Sequence, residues 1–302
     1  MSIDDAVDTF AGLPVVDSDV GTDSDPRTVA WRITNYYATE HFPDLVEELM
    51  DRTGPGGPVA LIVRDWGAAH HDPFPVDVLA ANAYRLVDLR ALFIGEMSSE
   101  ECEISWIRHG DITPLLAAFP GLERLWVRGS EGLRLIPVRH EKLRELVFQS
   151  GRLPASVVRA IGACDLPALE ELELWLGVAR YGGDTTVADL ALILAGRSLP
   201  ALTWLGLRNA EIADDLAAAL AASPVVARLR VLDLSMGTLG DRGAESLLAG
   251  QPLTHLETLD LSHHFMSPEL VQRLTDELPG VTLHLGDEQA EEEWGRYTAV
   301  SE

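Results

Sequence analysis

The sequence predicts an α/β solenoid, a stack of short parallel strands whose outer side is covered by helices. A six-residue frame with apolar fourth and sixth positions recurs along the chain. Segments whose apolar residues are spaced by three and four lie between most of the frames. A repeat of this period indicates an array in which each repeat packs on its neighbours. The ten frames begin at residues 28, 58, 89, 122, 143, 169, 202, 229, 256 and 280.

The two apolar columns of the frame define the predicted core. The fourth position runs from Trp31 to Leu283 and the sixth from Ile33 to Leu285, and no polar residue enters either column. Because strand side chains alternate between two sides, positions four and six point to the same side. Stacked parallel strands therefore bury these columns as one continuous core.

Seven central frames also begin with leucine, which gives the pattern LxxLxL of a leucine-rich repeat. Crossovers between parallel strands are right-handed, so we expect a right-handed β-α superhelix with a curved parallel sheet. The first leucine fails in the outer frames, at Thr28, Pro58 and Gly280, as is typical of capping repeats. We predict an acidic N-terminal segment and cap over 1–27, one solenoid over 28–286 and an acidic tail over 287–302.

The stretches between the frames supply the predicted helices. Residues 131–139, with Pro137, are too short for a helix and predict an extended connector, and residues 177–186 form an insertion. The predicted helices cover 42–50, 76–87, 112–119, 187–195, 212–222, 242–249 and 268–278.

Particular repeats carry a family resemblance. Residues 229–248, with Leu232-Asp233-Leu234-Ser235, Leu239-Gly240-Asp241 and Gly243-Ala244, resemble the ribonuclease-inhibitor-like subclass of leucine-rich repeats. The ninth position lacks the asparagine by which that subclass binds neighbouring turns. The whole chain is similar to a bacterial leucine-rich-repeat family of unassigned function, which implies a cytosolic protein and no reaction. The motifs that carry this likeness are Ala30-Trp31-Arg32-Ile33, Leu174-Trp175-Leu176-Gly177, Tyr181-Gly182-Gly183-Asp184-Thr185-Thr186 and Arg296-Tyr297-Thr298-Ala299-Val300.

Composition limits the partners. The formal net charge of -25 disfavours nucleic acid and anionic membranes and favours a protein partner with a basic patch. Residues 1–10 lack the apolar region of a secretory signal, and the longest apolar stretch, near 190–195, is too short to span a bilayer. With only Cys102 and Cys164 and no metal-ligand spacing, we expect a cytoplasmic protein without a cofactor.

Positions three, five and seven of the frame face the other side of the sheet, the predicted concave surface. Its first half is apolar and basic, its second half is acidic, and tryptophan and arginine, which are enriched at binding hot spots, lie between them. We predict a non-catalytic protein-binding scaffold that uses this surface. The alternative is that the tryptophans pack on one another or under the 177–186 insertion. The predicted partner-binding residues are Phe93, Trp126, Arg128, Glu171, Glu173, Trp175, Trp204, Arg208, Asp233 and Asp260.

Two other features leave alternatives open. Asp233 and Asp260 occupy the same position of adjacent strands, so an accessory factor that holds a small ligand or a divalent metal near Asp233, Asp260 and His263 is the alternative function. No arrangement typical of a catalytic site is present, and we expect no enzyme. Trp294 and Tyr297 either anchor the acidic tail on the last strand or form a short partner-binding tail.

Overall fold

The computed structural model describes residues 6–18, 24–35 and 41–300. It divides into two compact units, an N-terminal unit up to Gln149 and a C-terminal unit from Ser150. In each unit the strands follow one another in chain order. Within the described residues, no helix has both the length and the apolar character needed to cross a membrane.

The described residues of the N-terminal unit form seven strands. β1 (Thr9–Phe10) and β2 (Leu13–Asp17) form an antiparallel hairpin inside the segment predicted as an acidic cap. Its two-residue turn, Ala11 and Gly12, has positive φ at both residues, as in a type I′ turn. β2 then pairs in parallel with the first repeat strand. The five repeat strands match the first five frames: β3 (Ala30–Ile33), β4 (Ala60–Val63), β5 (Ala91–Ile94), β6 (Arg124–Arg128) and β7 (Glu145–Gln149).

The C-terminal unit contains the last five repeat strands, again where the frames predict them. The parallel register aligns equal frame positions, so that Leu232 lies beside Leu259 and Asp233 beside Asp260. The strands are β8 (Glu171–Gly177), β9 (Trp204–Ala210), β10 (Val231–Asp233), β11 (Thr258–Asp260) and β12 (Thr282–His284).

The helices lie between the strands. The helix over Ala155–Ala163 was not predicted. The predicted helix over 76–87 ends early, where the Asn82 side chain donates to the main-chain oxygen of Val78. No helix forms over 131–139, as expected. The helices are α1 (Phe42–Thr53), α2 (Val76–Ala81), α3 (Thr113–Ala118), α4 (Ala155–Ala163), α5 (Ala191–Leu194, after a 3-10 turn at Val187–Leu190), α6 (Ala213–Leu220), α7 (Asp241–Ala249) and α8 (Pro268–Glu277).

The two apolar columns form the core of each unit. Every residue of both columns is buried from Trp31 to Leu261, whereas Leu283 and Leu285 of the last frame are half-buried. On the helix side, Leu270 and Leu274 of α8 are buried one turn apart. The repeat pattern therefore predicted the core correctly.

Left-handed turns end four consecutive frames of the C-terminal unit. Asn209, Met236, His263 and Asp287, all at the eighth position, have φ between 50° and 65°. The main-chain N–H groups of Asn209, Met236 and His263 each donate to the following turn, at 2.9, 2.9 and 3.0 Å. These main-chain bonds link neighbouring turns although the asparagine ladder of the subclass is absent.

Candidate partner-binding surface

The inner face, defined here as the side of the sheet that carries frame positions three, five and seven, is closed in the N-terminal unit. Val7 and Phe10 of the hairpin segment pack against Ile62 and Phe93, and all four are buried. The ring centroids of Phe10 and Phe93 are 5.9 Å apart. The expected exposure of Phe93 is therefore wrong, because the hairpin covers it.

Trp126 lies at the border of the same apolar cluster. Its ring meets Phe10 and Phe93 edge-on, with centroids 5.5 and 5.3 Å apart, and is only partly buried. Its indole N–H donates to Oε1 of Glu145 at 2.5 Å. These contacts account for Trp126 as a structural residue.

Arg128 was predicted to face a partner, but its side chain is buried. Only 2% of the residue is exposed. Its guanidinium donates to Oε1 of Gln149 at 2.8 Å and to the main-chain oxygen of Met97 at 2.7 Å, and lies over the ring of Phe93. The expected exposure of Arg128 is wrong because these internal acceptors and the Phe93 ring already surround its charge.

Sequence reasoning missed Glu96, which fastens the hairpin to the sheet. Its carboxylate accepts hydrogen bonds from Arg32 at 2.7 and 2.8 Å and from the main-chain N–H of Val7 at 2.7 Å. Arg64 lies 3.6 Å away and binds Glu101 at 2.7 Å. Arg32 and Arg64, two basic residues of this half of the surface, thus pair with carboxylates of the same unit. An acid two residues after an apolar strand was the one available signal.

In the C-terminal unit, Arg208 gathers the predicted site residues. Its guanidinium lies 3.1 Å from Oε1 of Glu173 and 3.3 Å from Oδ2 of Asp233, and donates to Oγ of Ser235 at 3.0 Å. The same group stands over the ring of Trp175, 5.5 Å from its centroid. Four predicted residues from three strands, Glu173, Trp175, Arg208 and Asp233, therefore meet at one place.

Part of this cluster is buried. Trp175 is 4% exposed and donates its indole N–H to Glu173, so its expected exposure is wrong because Arg208 stacks on the ring. Burial raises the pKa of the Glu173 carboxyl, and the nearby Arg208 charge offsets this only in part. Burial likewise raises the pKa of Asp233 against the opposing effect of Arg208.

The remaining predicted residues of this unit keep solvent-accessible surface. Glu171, Trp204, Arg208 and Asp260 are all partly exposed. The Trp204 ring lies across its own strand above Gly206, where an added Cβ would come within 2.7 Å of the ring. Because Gly206 has no side chain, the indole can lie against the strand beside Arg208.

The two aspartates do not form a site with His263. Asp233 Oδ1 accepts the main-chain N–H of Ser235 at 2.8 Å, and Asp260 Oδ1 accepts that of Ser262 at 2.9 Å. The ring nitrogens of His263 face Asp287 and the main-chain oxygen of Tyr297 instead. In the part of the chain that the structure describes, no group of three or more His, Cys, Asp or Glu is arranged to hold a metal ion.

Trp294 and Tyr297 of the acidic tail, for which one common role was predicted, have different environments. Tyr297 packs edge-on against His263 and Phe265, with centroids 5.6 and 5.4 Å apart, and so anchors the tail on the turn after β11. Trp294, by contrast, is 86% exposed. The anchoring role that was predicted for both residues fits Tyr297 alone.

The repeats, their parallel strands and the buried leucine columns define a leucine-rich-repeat protein. No protein-family model and no curated protein matches the sequence. Among solved structures, a Bacteroides fragilis protein from a structural genomics consortium is similar, with a TM-score of 0.79, 29% identity, and coverage of 85% of this chain and 73% of that one.

Two further structures are more distantly similar. An internalin from Listeria monocytogenes has a TM-score of 0.39 and 14% identity, over 87% of this chain and 73% of its own. TLR13 in a complex with ssRNA13 has a TM-score of 0.35 and 15% identity, over 88% of this chain and 44% of its own. Of these three structures, the Bacteroides fragilis protein is the one whose similarity supports the fold.

Proposed function

We propose that this chain is a non-catalytic, cytoplasmic scaffold that binds a cationic segment of a protein partner on the inner face of its C-terminal unit. The observation that carries the proposal is the cluster around Arg208. One guanidinium is shared there by Glu173 and Asp233, with Asp260 in the next strand, so the cluster keeps an excess of negative charge. A lysine or arginine of a partner complements that excess.

Trp204 supplies the apolar part of the proposed contact. Its ring is held over Gly206 beside Arg208, and it keeps exposed surface. Tryptophan buries a large area on binding and loses little side-chain entropy, which is why it dominates many interfaces. We therefore assign the contact to Glu171, Trp204, Arg208 and Asp260, and assign Glu173, Trp175 and Asp233 to positioning Arg208.

The proposal does not include the site residues that were predicted in the N-terminal unit. The hairpin covers Phe93, internal acceptors surround the guanidinium of Arg128, and Phe10 and Glu145 hold the Trp126 ring, so we do not assign the contact to these three residues. Cys102 and Cys164 are both buried and form no disulfide, which fits a reducing compartment. The ribonuclease-inhibitor-like subclass of the repeats stays a prediction.

The test compares affinity capture by the wild type with capture by Trp204→Ala and Asp260→Asn. A partner of the inner face should be lost from both variants, and its capture should weaken as salt rises because exposed charges are screened. The matched control is Trp106→Ala, which removes a 57% exposed tryptophan of the N-terminal unit. If every captured protein binds the variants as it binds the wild type, the proposal fails.

A further inference from the structure

After the last strand, the chain contacts the side chain of His263 twice, first at Asp287 and again at Tyr297. Nδ1 of His263 lies 3.1 Å from Oδ2 of Asp287, and Nε2 lies 3.1 Å from the main-chain oxygen of Tyr297. Residues 288–296, here called the tail loop, are therefore closed at their base by one side chain. Compact surface loops whose ends meet in this way frequently carry function.

The chain beyond the tail loop is fixed to two earlier turns. The N–H of Ala299 donates to the main-chain oxygen of Met236 at 2.9 Å. The buried side chain of Asn209 accepts the N–H of Val300 at 2.9 Å and donates to its carbonyl oxygen at 2.5 Å. The loop is thus held on both sides by groups of the repeat array.

The stem of the tail loop is packed as well as hydrogen-bonded. Arg296 lies 3.2 Å from the main-chain oxygen of Thr238 and stands over the ring of Phe265. An added Cβ at Gly240 would come within 2.1 Å of its guanidinium, so glycine is what leaves room for Arg296. The Tyr297 hydroxyl donates to Oε1 of Gln289 across the loop at 2.6 Å.

The tip of the tail loop presents a tryptophan to solvent. Glu292 and Gly295 exchange main-chain hydrogen bonds of 3.2 and 2.9 Å, and Gly295 has a φ of 96°, so Glu293 and Trp294 occupy a tight turn. At 86%, Trp294 is the most exposed large apolar side chain of the described residues. A groove of about 410 Å³ beside it is lined by Tyr181 and Arg180 of the 177–186 insertion.

We propose that the tail loop is a binding element that inserts Trp294 into an apolar pocket on a basic protein surface. Glu291, Glu292 and Glu293 flank the indole and are all exposed, so a cationic rim around the pocket complements them. A second copy of this chain is disfavoured, because two chains of net charge -25 repel each other. Because the base and stem already hold the loop, binding orders few additional groups. This inference is independent of the inner-face proposal.

The test pans a phage library of random dodecapeptides against the 302-residue chain. We expect the selected peptides to combine lysine or arginine with a large apolar residue. Trp294→Ala should lower the affinity for a synthetic copy of the leading peptide by about tenfold or more, as expected for a hot-spot tryptophan. Glu292→Gln with Glu293→Gln should weaken it less and reduce its salt dependence.

Three comparisons control this test. Trp106→Ala removes another exposed tryptophan, and Glu245→Gln with Glu269→Gln removes two exposed carboxylates on α7 and α8; neither should change peptide binding. Thermal unfolding of Trp294→Ala should match the wild type, since the lost side chain is exposed. Peptides that depend on Asp260 but not on Trp294, a pool without basic residues, or no selected peptide at all would each overturn the inference.

Discussion

The inner faces of the two units are built from the same frame positions and differ in what occupies them. In the N-terminal unit, Ile62 and Phe93 are covered by Val7 and Phe10. Arg32 and Arg64 of the same face pair with buried or half-buried carboxylates. In the C-terminal unit, the corresponding positions hold Glu173, Gly206, Asp233 and Asp260, and Arg208 keeps 23% of its side chain exposed. A repeat array thus uses one face as core in one unit and as surface in the other.

The difference follows from side-chain chemistry at position five. Apolar residues on a sheet face need cover, because each buried large side chain contributes about 1.5–3 kcal/mol when it is removed from water. The hairpin supplies that cover, and Glu96 holds it through Val7 and Arg32. Carboxylates at the same position are solvated, or share an arginine, without any covering segment.

The largest test of this contrast is the substitution Phe93→Ala. Since Phe93 is fully buried between the sheet and the hairpin, its loss should lower the free energy of unfolding by about 3–5 kcal/mol. The matched change Trp204→Ala in the C-terminal unit should cost about 1 kcal/mol or less, because that side chain is partly exposed. Urea denaturation of both variants measures the difference. Equal losses would show that the two faces are not distinct.

The next effect concerns the attachment of the hairpin. Glu96→Ala leaves Arg32 without its buried partner and removes the acceptor of the Val7 N–H, so it should cost about 3 kcal/mol. Limited proteolysis should then cleave the chain near residues 6–18. Glu257→Gln, which removes an exposed partner of Arg230, serves as the control and should change neither stability nor proteolysis. A resistant Glu96→Ala protein would contradict the role given to this carboxylate.

Acid should have opposite effects on the stability contributed by His109 of the N-terminal unit and by Glu173 and Asp233 of the C-terminal unit. Burial lowers the pKa of His109 to about 4, so between its ordinary value of 6.5 and 4 the unfolded chain binds more protons and stability falls as pH falls. At about pH 5 this loss is on the order of 2 kcal/mol. Glu173 and Asp233 have raised pKa values, so there the folded state binds more protons and stability rises as pH falls.

Variants separate these contributions. His109→Gln should lose less stability on acidification than the wild type, whereas Glu173→Gln should lose more, because it lacks the group that gains protons in the folded state. The measurement is the free energy of unfolding in urea at several pH values from neutral to acid. If the free energy of unfolding depends on pH in the same way in the wild type and both variants, these groups do not have the opposite effects predicted here.

The smallest expected effect concerns the inner face of the C-terminal unit, where the Trp204 ring lies over Gly206. Gly206→Ala places a methyl group against the Trp204 ring, so the indole should swing outward at a cost of about 1 kcal/mol. Acrylamide quenching of tryptophan fluorescence should increase. Gly286→Ala, where nothing lies within 4 Å of an added Cβ, is the control. Unchanged quenching in Gly206→Ala would mean that Gly206 does not determine the position of the Trp204 indole.

Much of the fold could be predicted from the sequence because the apolar columns have a fixed spacing. Ten strands, the short connector over 131–139 and the buried columns all follow from that spacing. Helix α4 was missed, and α2 was predicted too long, because short helices between strands carry little periodicity of their own. The hairpin was hidden in an acidic segment, where its few apolar residues show no repeat.

The candidate site was predicted only in part, because frame position alone determines the side of the sheet and not what lies on top of it. Phe93 and Arg128 face inward as expected, yet Phe10 and Gln149 meet them there. Trp175 was expected to be exposed, but Arg208 stacks on its ring. Such contacts join distant parts of the chain, and the repeat pattern contains no signal for them.

The binding of residues 297–300 has a consequence for the order of folding. Asn209, Met236 and His263 belong to three different repeats, and their turns are brought into line only when β9 to β11 have paired. We therefore expect residues 297–300 to dock last, and the Ala299 amide to become protected from hydrogen exchange only when β9 to β11 have paired. Slow exchange at that amide reports a correctly registered set of repeats.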